Sequence, residues 1–287
     1  PSLKGVIVNI PNVTLAPFFQ AVKWNAIPLD QATADAVNNG YAGYNALVMA
    51  LTDPGFGPYA ISAEEAAKRQ VSFSASANNA VVISDDQLTD LGAAFDFLTT
   101  LPENHPAYIT AAQRAALAPL QQARQMKSVT GDPALANFGL PAEILTLSAA
   151  TVLGTEAIAG NPLSIIGVAV PLDDKYTLTT DEIARLLTRI ATFNAKISSV
   201  ANTYPGLEMY DSNTFFTGLA IGGGILANGN FYAPDFSPNG VFSTDGIHPN
   251  PVGYALIANE IMELIEEKFG SELPKYDISE FSTVLTQ

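Results

Sequence analysis

The stretch that most restricts the fold is Leu3-Lys-Gly-Val-Ile-Val-Asn-Ile10, a β-branched run stopped by Pro11. An alternating strand can leave one face in water, whereas a nearly continuous apolar run has to be covered on both faces. That is the situation of a strand inside a parallel sheet. Parallel strands are joined by crossovers, and a matching half-unit lies far along the chain. Thr179-x-x-Glu182 reads as a capping box, and Ile183, Leu186, Leu187, Ile190, Ile197 and Val200 mark one face of a long helix ending near Tyr204-Pro205. Leu207-Glu-Met-Tyr-Asp211 follows as a strand, and a helix leading back into a strand is how a chain returns to a parallel sheet. The expected class is α/β, with this second strand last in the sheet and a ligand site beyond its carboxyl end.

Most of the chain lies between these two strands. Asp30 opens a helix to about Leu51, with Ala34, Val37, Tyr41, Tyr44, Val48 and Leu51 on its inner face. Ser62-x-x-Glu65 predicts a short helix over Glu64 to Gln70. Val71 to Ala75 alternates, Asn78-Asn79 offers a turn and Ala80 to Ser84 returns, which predicts a hairpin. From Asp85 to about Gln125 the Ala- and Leu-rich pattern is helical, with Thr110-Ala-Ala-Gln113 as a cap. Pro141 to Ala159 fits a helix or a strand pair, and periodicity does not type the apolar run Ile165 to Val170. Gly222-Gly-Gly224 and Asn228-Gly-Asn230 read as a loop, since no phosphate-cradle context surrounds them.

Charge narrows the partners. With 13 basic against 28 acidic residues the net charge is −15, which argues against nucleic acid and against anionic membrane surfaces. There is no cysteine, so disulfides and thiolate metal sites are excluded. Asp85-Asp86 and Asp173-Asp174 lack the spaced ligands of a calcium loop, and neither a metal nor another cofactor is expected. The longest apolar runs are broken by Gly or Pro before membrane-spanning length.

Side-chain chemistry gathers near the C-terminus. Asp245 and His248 stand three residues apart in a loop that ends at Asn250, an N-cap type, with Pro251 at the first helical position. Val252, Leu256, Ile257, Met262, Leu264, Ile265 and Phe269 then give an apolar stripe closed by Gly270. A carboxylate beside an imidazole on a rigid support suits a base and its orienter in acyl transfer. The same spacing also fits a plain surface turn in which Asp245 caps and His248 is solvated. The other histidine, His105, has Pro102 three residues earlier and no carboxylate there, so it reads as a solvated loop residue. Phe215, Phe216, Phe231, Tyr232, Phe236 and Phe242 read as core, or as the wall of an acyl or sugar pocket.

Asp245-x-x-His248-Pro249, followed by Gly253-Tyr254 and a helix carrying Ala258-Asn259, resembles the last motif block of the SGNH (GDSL-type) serine hydrolases. The resemblance implies Asp245 as orienter and His248 as base of a triad whose serine stands in a Gly-Asp-Ser segment. A glycine and an asparagine on two further loops would complete the oxyanion hole. The strand ending at Ile10-Pro11 is similar to the family's penultimate strand. No Gly-Asp-Ser occurs here: Gly131-Asp132 precedes Pro133, and Asp211-Ser212 follows Tyr210. Nor does any Gly-x-Asn-Asp occur. The resemblance therefore implies the C-terminal part of a flavodoxin-like SGNH domain, with residues 1–23 and 179–287 as a partial core. Residues 24–178 would be a large, mostly helical insertion with a β-hairpin, able to form a lid or wall over the catalytic loop.

The implied reaction is hydrolysis of a small-molecule, lipid or carbohydrate ester, the missing N-terminal half supplying the serine and this chain alone being inert. The alternative is a non-catalytic surface or glycan-binding module. The resemblance further implies an exported bacterial protein, often of the lipoprotein kind, with its anchor outside this chain.

Overall fold

The computed structural model describes residues 4–128, 140, 142–161, 164–238 and 240–283. The fold is mixed α/β, in two compact units. One is built mainly from residues 4–21 and 180–283, the other from residues 22–128 and 142–179.

In the first unit, strand β1 (Gly5–Val8) pairs in parallel with a strand at Leu207–Tyr210, in register from Gly5 opposite Leu207 to Val8 opposite Tyr210. The helix that leads into it, α1 (Thr180–Thr203), buries Ile183, Leu187 and Ile190 and packs on both strands. Asn194 of α1 holds the end of β1 with its carboxamide. Its Oδ1 accepts from Ile10 N at 2.8 Å and its Nδ2 donates to Ile10 O at 2.8 Å, so the backbone group just past the strand is satisfied without a further neighbour. Among the described residues the parallel sheet has only these two strands. The apolar run expected to be buried on both faces is accordingly half-buried from Gly5 to Ile7, and Val8 is 45% exposed.

After β2 (Leu207–Tyr210) the chain departs from expectation. Asp211 caps α2 (Ser212–Ile221), accepting from Thr214 N at 3.0 Å. The segment read as a glycine-rich loop then forms a hairpin of β3 (Ile225–Ala227) and β4 (Asn230–Phe236). Its two-residue turn is Asn228-Gly229, with φ of 47° and 78°. Positive φ at both central residues is the turn that matches strand twist, and Asn-Gly is its preferred sequence. Strand β5 (Gly240–Phe242) pairs in parallel with β4 and leads through the Asp245 loop into α3 (Pro251–Phe269). The loop is thus carried by β5, not by the carboxyl end of β2. Val241, Phe242, Val252, Ala255 and Leu256 join Ala16, Leu219 and Ile278 in the core beneath it.

In the second unit the long helix runs Gln31–Ala50 with Asp30 as its cap, as the pattern predicts. The hairpin over residues 71–84 does not form. Ser76–Asn79 pairs instead with Ile27–Leu29, and Val82–Ser84 with Ala123–Gln125. Residues 71–73 lie in no strand and have side chains for partners. Asn45 and Asn38, seven residues apart on the helix, bond the N–H and C=O of Val71 and Phe73 respectively, at 2.8 to 3.0 Å. Asn79, read as a turn residue, is 6% exposed and uses its Nδ2 on Ile27 O and Ser74 O.

The single helical stretch from Asp85 to Gln125 is also broken. Short helices occupy Gly92–Leu98 and Ala111–Ala116, the second with the reciprocal Thr110 to Gln113 cap. The end of the stretch is a buried strand whose Arg124 meets Asp85 at 2.5 Å and Glu143 at 2.8 Å. An alanine-rich pattern cannot reveal that long-range pairing. Beyond it, Ile144–Leu145 pairs with Thr177–Leu178, Leu147–Thr151 is a 3-10 turn, and Ile165 to Val170 is a turn at Gly167 to Ala169 flanked by isolated bridges.

Candidate active site

Four residues fix the loop between β5 and α3. Ser243 N donates to His248 O at 2.7 Å and closes it, while Asn250 N donates to Val241 O at 2.9 Å. Asn250 caps α3 through Gly253 N at 3.0 Å, and its buried Nδ2 donates to Gly240 O at 2.7 Å. A cap that also ties the preceding strand leaves the loop little freedom at its helical end. Gly253 lets the first turn of α3 lie directly on Val241 O, where a β-carbon would collide. Gly246 sits at φ 71°, and a β-carbon there would stand 2.6 Å from the Phe236 ring and 2.7 Å from Phe18 N. Its carbonyl accepts from Phe18 N at 3.0 Å.

On this support the structure brings Asp245 and His248 together. Oδ2 of Asp245 lies 2.6 Å from Nδ1 of His248. Oδ1 accepts from the Ser243 hydroxyl at 2.6 Å, Ile247 N at 2.8 Å and His248 N at 3.0 Å. Bonds from Ser243 and then His248, with the two amides behind them, hold the Asp245 carboxyl well below the usual carboxylate range. An acceptor-only carboxylate facing Nδ1 fixes the proton there and leaves Nε2 as the basic nitrogen. The imidazole is 69% exposed, and among the described residues no protein group bonds to Nε2. The Ser243 hydroxyl is turned to the carboxylate, so it is an orienting contact and not a partner of the base. His105 has a different setting: its Nδ1 accepts from Ala107 N at 3.1 Å and its ring packs edge-on to Phe56.

Comparison with family models, curated proteins and solved structures gives no match to this chain.

An apolar cavity of ≈ 260 Å³ lies in the same unit, walled by Ile247 and Pro249 on either side of His248 and by Phe19, Phe216, Leu219 and Phe242. Of the aromatic residues singled out in the sequence, Phe216 and Phe242 line it. Phe215 packs edge-on to Phe216, Phe236 lies over Gly246, and Phe231 is 64% exposed. Beside the cavity Asn9 joins β1 to α2: its Nδ2 donates to Asp211 Oδ1 at 2.6 Å and its Oδ1 accepts from Asn213 N at 3.0 Å. Asn9 and Gly246 belong to no sequence motif, although a glycine between Asp245 and His248 signals a tight turn.

Gly131-Asp132-Pro133 lies outside the described residues. Among the described residues no group of three or more His, Asp or Glu could hold a metal ion, and Asp85 is engaged by Arg124. No described helix is long and apolar enough to cross a membrane.

Proposed function

We propose that this chain supplies the base and orienter of a serine esterase of the SGNH type, and that the serine comes from a segment outside the described residues. The reading is supported chiefly by one observation: a carboxylate with three other donors faces Nδ1 of an exposed imidazole whose Nε2 meets no protein group. Such an imidazole takes the proton of an attacking serine hydroxyl as the Oγ bonds to the ester carbonyl carbon. It then returns that proton to the alcohol oxygen as the C–O bond breaks. Water repeats the sequence on the acyl-serine, releasing the acid. Asp245 stabilises the imidazolium formed in each half.

In this reading β1, α1 and β2 are a fragment of a flavodoxin-like parallel sheet, and the second unit is an insertion into it. The ester is a small molecule, a lipid or an acetylated carbohydrate, and the protein is exported. An export segment encoded upstream would support that location; its absence there would remove the support. The function is tested by adding the serine-bearing segment, as one polypeptide or as a complementing fragment. Hydrolysis of short acyl esters should appear on addition and be absent from the chain alone. Hydrolysis by the chain alone, abolished by replacing one of its own serines, would overturn the assignment.

A further inference from the structure

The cavity beside the Asp245 loop carries more than apolar wall. Asn12 lines it, is 6% exposed, and caps the turn that follows through Oδ1, which accepts from Thr14 N at 3.2 Å and from the Thr14 hydroxyl at 2.6 Å. Its Nδ2 donates to no protein group among the described residues. Asn12 Nδ2 stays accessible to solvent, and can exchange water for an acceptor that arrives with a ligand. The rest of the lining is largely apolar, Phe19, Phe216 and Ile257 among it, and its other polar side chains, Asn9 and Ser212, are bonded within the protein. One free polar donor in a largely apolar, partly open pocket suits a ligand with a hydrocarbon body and a single oxygen-bearing end.

We propose that this cavity is an acyl subsite for a straight chain of medium length, with Asn12 Nδ2 donating to the oxygen of its carboxyl or ester end. An apolar cavity of roughly 150 Å³ admits the six carbons of benzene, so ≈ 260 Å³ accommodates about ten. The substrate class of the esterase is then medium-chain acyl esters, a step that rests on the function proposed above. Binding itself does not depend on the serine, so the two claims fail separately. Loss of hydrolysis in His248→Ala with no acyl binding by the chain would sink only the subsite. Acyl binding without any hydrolysis by the serine-bearing protein would sink only the esterase.

The test is calorimetric titration of the chain with straight-chain carboxylates of four to fourteen carbons. Affinity should rise about fourfold per methylene, the equivalent of about 0.8 kcal/mol each, and level off near ten carbons. No saturable binding, or an unbroken rise through fourteen carbons, would overturn the subsite. Ala220→Phe, which adds a ring to the half-buried wall, should move the plateau to shorter chains; an unmoved plateau counts against the location. Asn12→Asp keeps the oxygen that caps Thr14 and replaces the donor by an acceptor. Decanoate affinity should fall at least tenfold while 1-decanol, which can donate to the new carboxylate, keeps its affinity. Equal loss of both ligands, or no loss of either, would show that Asn12 only holds the turn.

Discussion

Replacing Asp245 by Asn alters a single atom at the centre of the loop, and the geometry dictates where it lands. Oδ1 has three donors, from Ser243, Ile247 and His248, and the variant's carbonyl oxygen takes that place. Its NH₂ group therefore faces Nδ1 of His248 across the 2.6 Å now spanned by a hydrogen bond. Two N–H groups cannot point at each other at that separation, so the imidazole proton moves to Nε2 and Nδ1 becomes the acceptor. A nitrogen that already carries a proton cannot take one from serine, and turnover should fall by about 10⁴-fold. Stability should fall modestly. Three bonds accepted by a carboxylate oxygen become bonds to a neutral carbonyl and the fourth is reversed, each a difference of about 1 kcal/mol before solvent screening of this half-exposed pair reduces it. The chain has only two histidines, so imidazole nitrogen resonances assign directly once His105 is identified by replacement. At a pH where the ring is neutral, the wild type should carry its proton on Nδ1 and Asp245→Asn on Nε2. An Nδ1 proton retained in the variant would refute the reasoning. So would an unchanged rate in the serine-bearing protein.

Three further substitutions test contacts inside each unit. Gly246→Ala forces a left-handed alanine into contact with Phe236 and Phe18, at a cost of about 1–2 kcal/mol for the backbone and about 1 for the Phe18 bond; a melting temperature equal to wild type would contradict the loop geometry. Arg124→Leu leaves Asp85 and Glu143 buried without their cation and should lower stability by about 3–5 kcal/mol. Trp24, the sole tryptophan, packs against that core and reports the urea transition, which should move to lower denaturant. Gly40→Ala, inside the long helix with nothing within 4 Å of the added carbon, should move the same transition upward by about 0.8–1 kcal/mol, and a downward shift would mean that the space above Gly40 is needed.

Local punctuation was readable in the sequence because its physics is local. Asp30, Thr110 and Asn250 each satisfy a free amide within three residues of themselves, and Gly270 closes α3 at φ 68°, so all four act as their residue types predict. Ser62 accepts from Glu65 N as well, but the Glu65 carboxylate turns to Arg69 and Thr89 and does not close a box. β1 was legible as a strand from its β-branched run and β2 from its place after the long helix, and the two lie in a parallel sheet as expected, whereas the half-exposed state of β1 depends on how many strands stand beside it.

What the sequence hid was chosen by distant partners. Nothing within residues 71–84 says that carboxamides from Asn38 and Asn45 will replace a neighbouring strand. The hairpin at Asn228-Gly229 is different, since Asn-Gly after Ile225-Leu-Ala227 is itself a local turn signal. At the site, Asp245 and His248 were visible from spacing and helix onset. The glycine contacts that fix their loop were not, because they involve Phe18, more than two hundred residues away in the chain.

The esterase assignment rests on His248, and its most direct test is the steady-state rate of short acyl ester hydrolysis by the serine-bearing polypeptide with and without His248→Ala. A loss of several orders of magnitude is expected, with the fold intact by circular dichroism. Hydrolysis at the wild-type rate in His248→Ala would contradict it outright.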